Sequence, residues 1–143
     1  MIMIIGTYGM KKTIKRKRVL ILGANGMLGS MVYFFFVKYT DHKIVGTYNK
    51  KKIHKNQIKF DAEKFIEKKN HYTIFKNVDY VINCIGLIKP DTINNTEKAI
   101  KINSLFPYAL EKSINKNCKI FQINTDCVFS GNSKISYNEL SEH

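Results

Sequence analysis

Residues 18–29 read Arg18-Val19-Leu20-Ile21-Leu22-Gly23-Ala24-Asn25-Gly26-Met27-Leu28-Gly29: a short apolar run that closes on three glycines and leads into a segment able to form a helix. Glycines at such a junction permit a tight turn and close backbone approach, while the free amides of the helix start attract an anion such as a pyrophosphate. The spacing is G-x-x-G-x-x-G, unlike the G-x-G-x-x-G of ordinary dinucleotide dehydrogenases. The placement between strand and helix therefore carries more weight than the glycines alone. Gly23, Asn25, Gly26, Met27, Leu28 and Gly29 are read as a cofactor-binding turn; the alternative is a turn that only packs helix on strand.

Working outward, strand-like runs end at small or polar residues over 18–22, 43–48, 57–60, 79–83 and 119–124, and segments able to form helices fill 27–39, 62–72 and 95–115. Strands that alternate with helices and are apolar on both faces predict a parallel sheet covered by helices, a Rossmann-like, doubly wound α/β fold. Ala99, Ile102, Phe106, Ala109 and Leu110 form a helical stripe. Pro107 lies inside it, so a kink or break is expected near Phe106.

A dinucleotide site makes a second demand at the end of the second strand, where an acid suits the ribose of NAD and a cation suits the extra phosphate of NADP. There Tyr48 is followed by Asn49-Lys50-Lys51-Lys52, without an acid. NADP is therefore the expected cofactor, with Asn49 and Lys50 or Lys51 near its 2′-phosphate and NAD as the alternative. Asp61, after the third strand, can accept from the adenine amino group or cap the following helix, and the two roles are compatible. The fourth strand ends Asn83-Cys84-Ile85-Gly86, small enough for a ribose and nicotinamide to cross. The fifth ends Asn124-Thr125-Asp126-Cys127-Val128-Phe129-Ser130-Gly131, which brings a hydroxyl and a carboxylate to the ligand-binding edge of the sheet.

Four ordered blocks, Gly23 to Gly29, Val81 to Gly86, Asn103-Ser104-Leu105-Phe106-Pro107 and Thr125 to Gly131, make the chain resemble the extended short-chain dehydrogenase/reductase family. Within it the likeness is to the branch of dTDP-4-dehydrorhamnose reductase and related sugar-nucleotide-binding proteins. The resemblance implies backbone contacts from Gly26, Met27 and Leu28 to the pyrophosphate, Asp61 and Ala62 beside the adenine, and Cys84, Ile85 and Gly86 along the ribose. Thr125 matches the family's catalytic Ser/Thr, and Asp126 would lie near a nucleotide-sugar substrate. Asn124 stands where the family usually has serine, and Cys127 where it commonly has tyrosine.

The family's proton donor is a Tyr-x-x-x-Lys pair on the helix after the fifth strand, with the lysine charge lowering the tyrosine pKa. The spacing occurs at Tyr8/Lys12, Tyr39/Lys43, Tyr48/Lys52, Tyr72/Lys76 and Tyr108/Lys112, all before the fifth strand and so on the wrong element. The expectation is an amino-terminal cofactor-binding part of a longer NADP(H)-dependent reductase of a nucleotide-linked 4-keto sugar. It would be incomplete at its C-terminus and inactive alone, with a homodimer or a missing C-terminal half covering the fifth strand. The rival reading is a non-catalytic, dinucleotide-binding regulatory module of the same fold.

The composition fits one domain. The chain has 143 residues, 44% of them hydrophobic, enough for a core. No run reaches the roughly 18 to 20 apolar residues of a membrane-spanning helix. The net charge of +13 comes from 24 Lys and Arg, 22 of them Lys, beside 20 Ile and 14 Asn. This bias matches A- and T-rich codons and needs no polyanionic partner. Residues 1–16 are expected to be a basic, disordered extension before a domain over 17–143. Beyond Tyr8 the extension has no interleaved aromatic platform, so nucleic acid is not an expected partner. Cys84, Cys118 and Cys127 are odd in number and lack metal-like spacing, so no metal is expected. Buried, reduced thiols in a cytoplasm are the reading.

Overall fold

The computed structural model describes residues 15–67, 73–125, 129–132, 134, 136–138 and 140–141. Most of the 1–16 extension, the 68–72 part of the second expected helix, Asp126 and Cys127 lie outside the described residues. Five parallel strands form one sheet in the order β3-β2-β1-β4-β5, made of β1 (Arg18–Leu22), β2 (Lys43–Tyr48), β3 (Gln57–Lys59), β4 (Tyr80–Asn83) and β5 (Lys119–Gln122). β1 is central because it is apolar on both faces: Val19 to Leu22 are each no more than 1% exposed. Its register runs Val19 against Ile44 of β2 and against Tyr80 of β4.

The two faces of β1 build two cores. Val19 and Ile21 pack with Ile44, Ile82 and Tyr33 beneath α1 (Met27–Tyr39). Leu20 and Leu22 pack with Val81, Phe60, Phe65, Phe75, Ile102, Phe106 and Leu110 beneath α2 (Ala62–Glu67) and the helical segment before β5. Helices therefore cover both faces, as the doubly wound reading requires. No helix separates β2 from β3; the loop over 49–56 joins them directly.

The segment expected to be one kinked helix over 95–115 begins earlier and is divided. α3 (Asp91–Asn94) is a single turn, Asn95 breaks it with φ −147°, and α4 (Thr96–Ile100) starts with the Asn95 side chain accepting from the Lys98 amide. A π turn over Lys101–Leu105 then leads into α5 (Phe106–Ser113). Pro107 supplies the reason: it has no N–H, and its ring clashes with the carbonyl four residues back unless the backbone widens. Asn103 lies in this widened turn. Its side chain accepts from the Leu87 amide at 2.8 Å and donates to the Leu87 carbonyl at 2.9 Å, holding the loop after β4 in place.

Asp79 ties the start of β4 to the start of β1. Its carboxylate accepts from the Arg18 backbone amide at 2.8 Å and from Lys17 Nζ at 3.0 Å. The Arg18 amide and the Lys17 charge hold its carboxyl below the usual range. A depressed carboxyl stabilises the fold above the unfolded value of about 3.9 and loses that contribution as pH falls through the lower folded value. Urea unfolding of the native chain and of Asp79→Asn should therefore differ near neutral pH and converge in acid. A difference that persists below the folded pKa would contradict this assignment.

β5 is an outer strand. Ile120 packs against the second core, whereas Phe121 and Ile123 are 53% and 41% exposed. The outward side of α1 is also apolar, with Met31, Phe34 and Phe35 in solvent. Among the described residues no helix is long and apolar enough to cross a membrane.

Candidate functional site

The turn between β1 and α1 is held from β2. Thr47, buried at the end of that strand, accepts the Gly23 amide on its hydroxyl at 2.9 Å and the Ala24 amide on its carbonyl at 3.0 Å. Gly23 takes φ +74°, a left-handed conformation that glycine adopts without strain. Gly29 is required by contact: a Cβ there would lie 2.1 Å from the Gly23 carbonyl oxygen. The first turn of α1 thus sits directly on the glycine turn. Gly26 caps that helix without a side-chain hydrogen bond, and no acidic residue occupies the first turn. The helix start therefore keeps open amides and the positive end of its dipole for an anion.

These elements frame a cleft of about 590 Å³ at the carboxyl ends of the strands. Gly23, Asn25 and Gly26 of the turn line it, as do Asn49 and Lys50 after β2. Asp61 and Ala62 at the start of α2 form another wall, and Cys84, Ile85 and Gly86 after β4 complete the set. Met27, Leu28 and Gly29 do not line the cleft; the Met27 side chain is 83% exposed, and Gly29 is packed against the turn. Thr125 is exposed beyond β5, outside the lining, with its amide donating to Asn124 Oδ1 at 2.9 Å. Asp126 lies outside the described residues.

Asp61 caps α2. Its Oδ1 accepts from the amides of Glu63 and Lys64 at 3.1 and 3.2 Å, while the residue also faces the cleft. Cys84 and Cys118 are free thiols and only half-buried, a correction to the expectation of full burial: Cys84 faces the cleft, and Cys118 sits just before the outer strand β5. Burial pushes the Cys84 thiol up, so at neutral pH it packs as a neutral group. Tyr108 is 64% exposed on α5 and Lys112 lies 5.4 Å above its ring, away from the cleft. Among the described residues no group of three or more His, Cys, Asp or Glu is placed to hold a metal.

Several cleft residues were not singled out from the sequence. Ile53 lines it from the 49–56 loop beside Lys51, which the sequence offers as the alternative to Lys50, and Lys98 of α4 pairs with Glu63 of α2 at 2.8 Å along the same wall. Thr47 was legible only as a hydroxyl in an apolar strand. Its role needs the turn of β1 beside it.

The family model described as the RmlD substrate binding domain matches residues 17–143. Among solved structures, a hypothetical dTDP-4-dehydrorhamnose reductase from Sulfolobus tokodaii is 28% identical with a TM-score of 0.72, covering 87% of this chain and 45% of that one. An epimerase from Methanothermobacter thermautotrophicus is 20% identical with a TM-score of 0.69 and coverages of 87% and 40%. MoeE5, solved in complex with UDP-glucose and NAD, is 16% identical with a TM-score of 0.63 and coverages of 80% and 38%. The latter two likenesses show the fold alone. A comparison with curated proteins finds no match. The chain spans less than half the length of these solved structures. Because the family match takes in every strand of the sheet and the whole glycine turn, the chain belongs to the RmlD substrate binding domain family, within the extended short-chain dehydrogenase/reductase group.

Proposed function

We propose that this chain forms the cofactor-binding part of an NADP(H)-dependent reductase acting on a nucleotide-linked 4-keto sugar, of the dTDP-4-dehydrorhamnose type that leads to dTDP-L-rhamnose for surface polysaccharide. The observation that carries the reading is the cleft joining Gly23, Asn25 and Gly26 of the turn before α1 to Asn49, Lys50 and Lys51, with no acid at the end of β2. The residues present fit a dinucleotide. The first turn of α1 keeps open amides that suit a pyrophosphate, and the lysines after β2 complement a further phosphate. Bound there, the nicotinamide would supply a hydride to the sugar carbonyl. The chain's own part is to bind and orient: Asp61 and Ala62 flank the adenine, and Cys84, Ile85 and Gly86 give the ribose room. Thr125 donates to the reacting carbonyl, with Asp126 beside the substrate. The reaction belongs in the cytoplasm, the reducing compartment that the free thiols of Cys84 and Cys118 suit.

Equilibrium titration with NADPH and NADH tests the cofactor. A charge-assisted contact to the 2′-phosphate is worth about 1.5 kcal/mol or more, so NADPH should bind at least about tenfold tighter. Lys50→Glu with Lys51→Glu should abolish that preference. Tighter binding of NADH to the native chain would overturn the NADP reading.

A further inference from the structure

We propose that Gln57, which does not line the cleft, is the positioning residue of the 49–54 loop and locks that loop to the glycine turn through Asn25. The inference rests on the dinucleotide reading above and concerns how its phosphate-facing loop is held. Gln57 opens β3 and is only 4% exposed, a buried carboxamide in the outer strand opposite β5. Such a group must be hydrogen-bonded, and its partners all lie across the loop. Its Oε1 accepts from the backbone amides of Ile53 and His54, both at 3.0 Å. Its Nε2 donates to Asn25 Oδ1 at 2.6 Å, and Asn25 Nδ2 donates to the Lys51 carbonyl at 2.7 Å.

The direction of this relay has one solution. Two backbone amides can only donate, so they require the oxygen of Gln57; its nitrogen then faces Asn25. Asn25 must therefore offer its oxygen to Gln57 and its nitrogen to Lys51, whose carbonyl can only accept. Two side-chain amides thus bracket the loop from both ends. His54 adds a third tie, with its ring stacked on Tyr33 at 5.5 Å and set edge-on to Phe34 at 4.9 Å, both on α1.

The consequence is preorganisation. Lys50 and Lys51 belong to a loop of polar and basic residues that has no helix to order it. Without the bracket, that backbone would have to be ordered when a ligand binds, at a cost in affinity. Asn25 serves both ends: it lines the cleft beside the glycine turn and carries the bracket to Lys51. Loosening the bracket should therefore weaken the 2′-phosphate end more than the pyrophosphate end, which retains its glycine turn.

The test uses the full chain, its Gln57→Met variant, which keeps side-chain length and removes all three hydrogen bonds, and its Gln57→Glu variant. Gln57→Glu retains both backbone bonds but breaks the relay at Asn25, whose nitrogen can then serve either the carboxylate or the Lys51 carbonyl and not both, so it keeps the test open if Gln57→Met fails to fold. Limited trypsin digestion reads loop order directly at Lys50, Lys51, Lys52 and Lys55, without any cofactor. Cleavage there should accelerate by about tenfold in the folded variants, because local opening exposes these bonds. The dissociation constant for NADPH should rise by about tenfold and that for NADH by no more than about twofold. Cleavage at the native rate in both variants overturns the proposal. So does an equal loss for both dinucleotides. Faster cleavage of variants of a native chain that binds neither dinucleotide supports the loop tie and overturns the cofactor reading instead.

Discussion

Gly29→Ala is expected to abolish dinucleotide binding and to destabilise the whole domain. The added Cβ would lie 2.1 Å from the Gly23 carbonyl oxygen and 2.8 Å from its carbonyl carbon. Both are backbone atoms, so no side-chain rotation relieves the clash. Either α1 lifts off the turn or the turn opens, and Gly23 is already committed to Thr47 through its amide. Overpacking typically costs 1 to 3 kcal/mol; a backbone clash of this depth should reach about 3 kcal/mol or more. For a domain of this size that lowers the thermal midpoint by about 10 °C. Scanning calorimetry together with NADPH titration checks both effects. A variant that melts with the native chain and binds as tightly would show that helix and turn do not meet as described.

The second large effect is expected at Phe106→Ala. Phe106 is fully buried, with its ring 5.8 Å from that of Phe60 and 5.7 Å from that of Phe65. It begins α5 just after the π turn whose Asn103 clamps Leu87, so it connects the core to the loop beside the cleft. Removing a buried phenyl ring costs about 3 to 5 kcal/mol, a large fraction of the about 5 to 15 kcal/mol that holds a domain together. Tyr108, two residues on, points to solvent, and Tyr108→Ala should change stability by less than about 0.5 kcal/mol. Urea unfolding of both variants measures the contrast. A Phe106→Ala chain within about 1 kcal/mol of the native one would contradict the packing of this core.

How far these features could be read from the sequence depended on whether the deciding interactions were local. β1, α1 and β2 have the bounds that their patterns predict, because an apolar run stopping at glycine is a local signal. Pro107 likewise announced a disturbance before α5. The pattern could not say that the disturbance is a π turn, or that its Asn103 reaches back to Leu87. Asp61 showed its capping role through residue type alone. Thr47 and Lys98 act through partners distant in sequence, as Gln57 does through Asn25, and no spacing rule reveals a buried amide that bridges two loops. Met27 and Leu28 were chosen for their backbone, so the outward direction of the Met27 side chain leaves that reading to a binding experiment.

We propose that the β1–α1 turn binds the phosphates of a nicotinamide dinucleotide. Backbone amide NMR of the labelled chain during titration with NADPH tests it most directly, since each amide of the turn reports separately. Saturable shifts are expected at Gly23 to Leu28, with further shifts at Lys50, Lys51 and Ile85 to Gly86. A titration that leaves the glycine turn unmoved, or whose shifts gather on another face of the sheet, would contradict it.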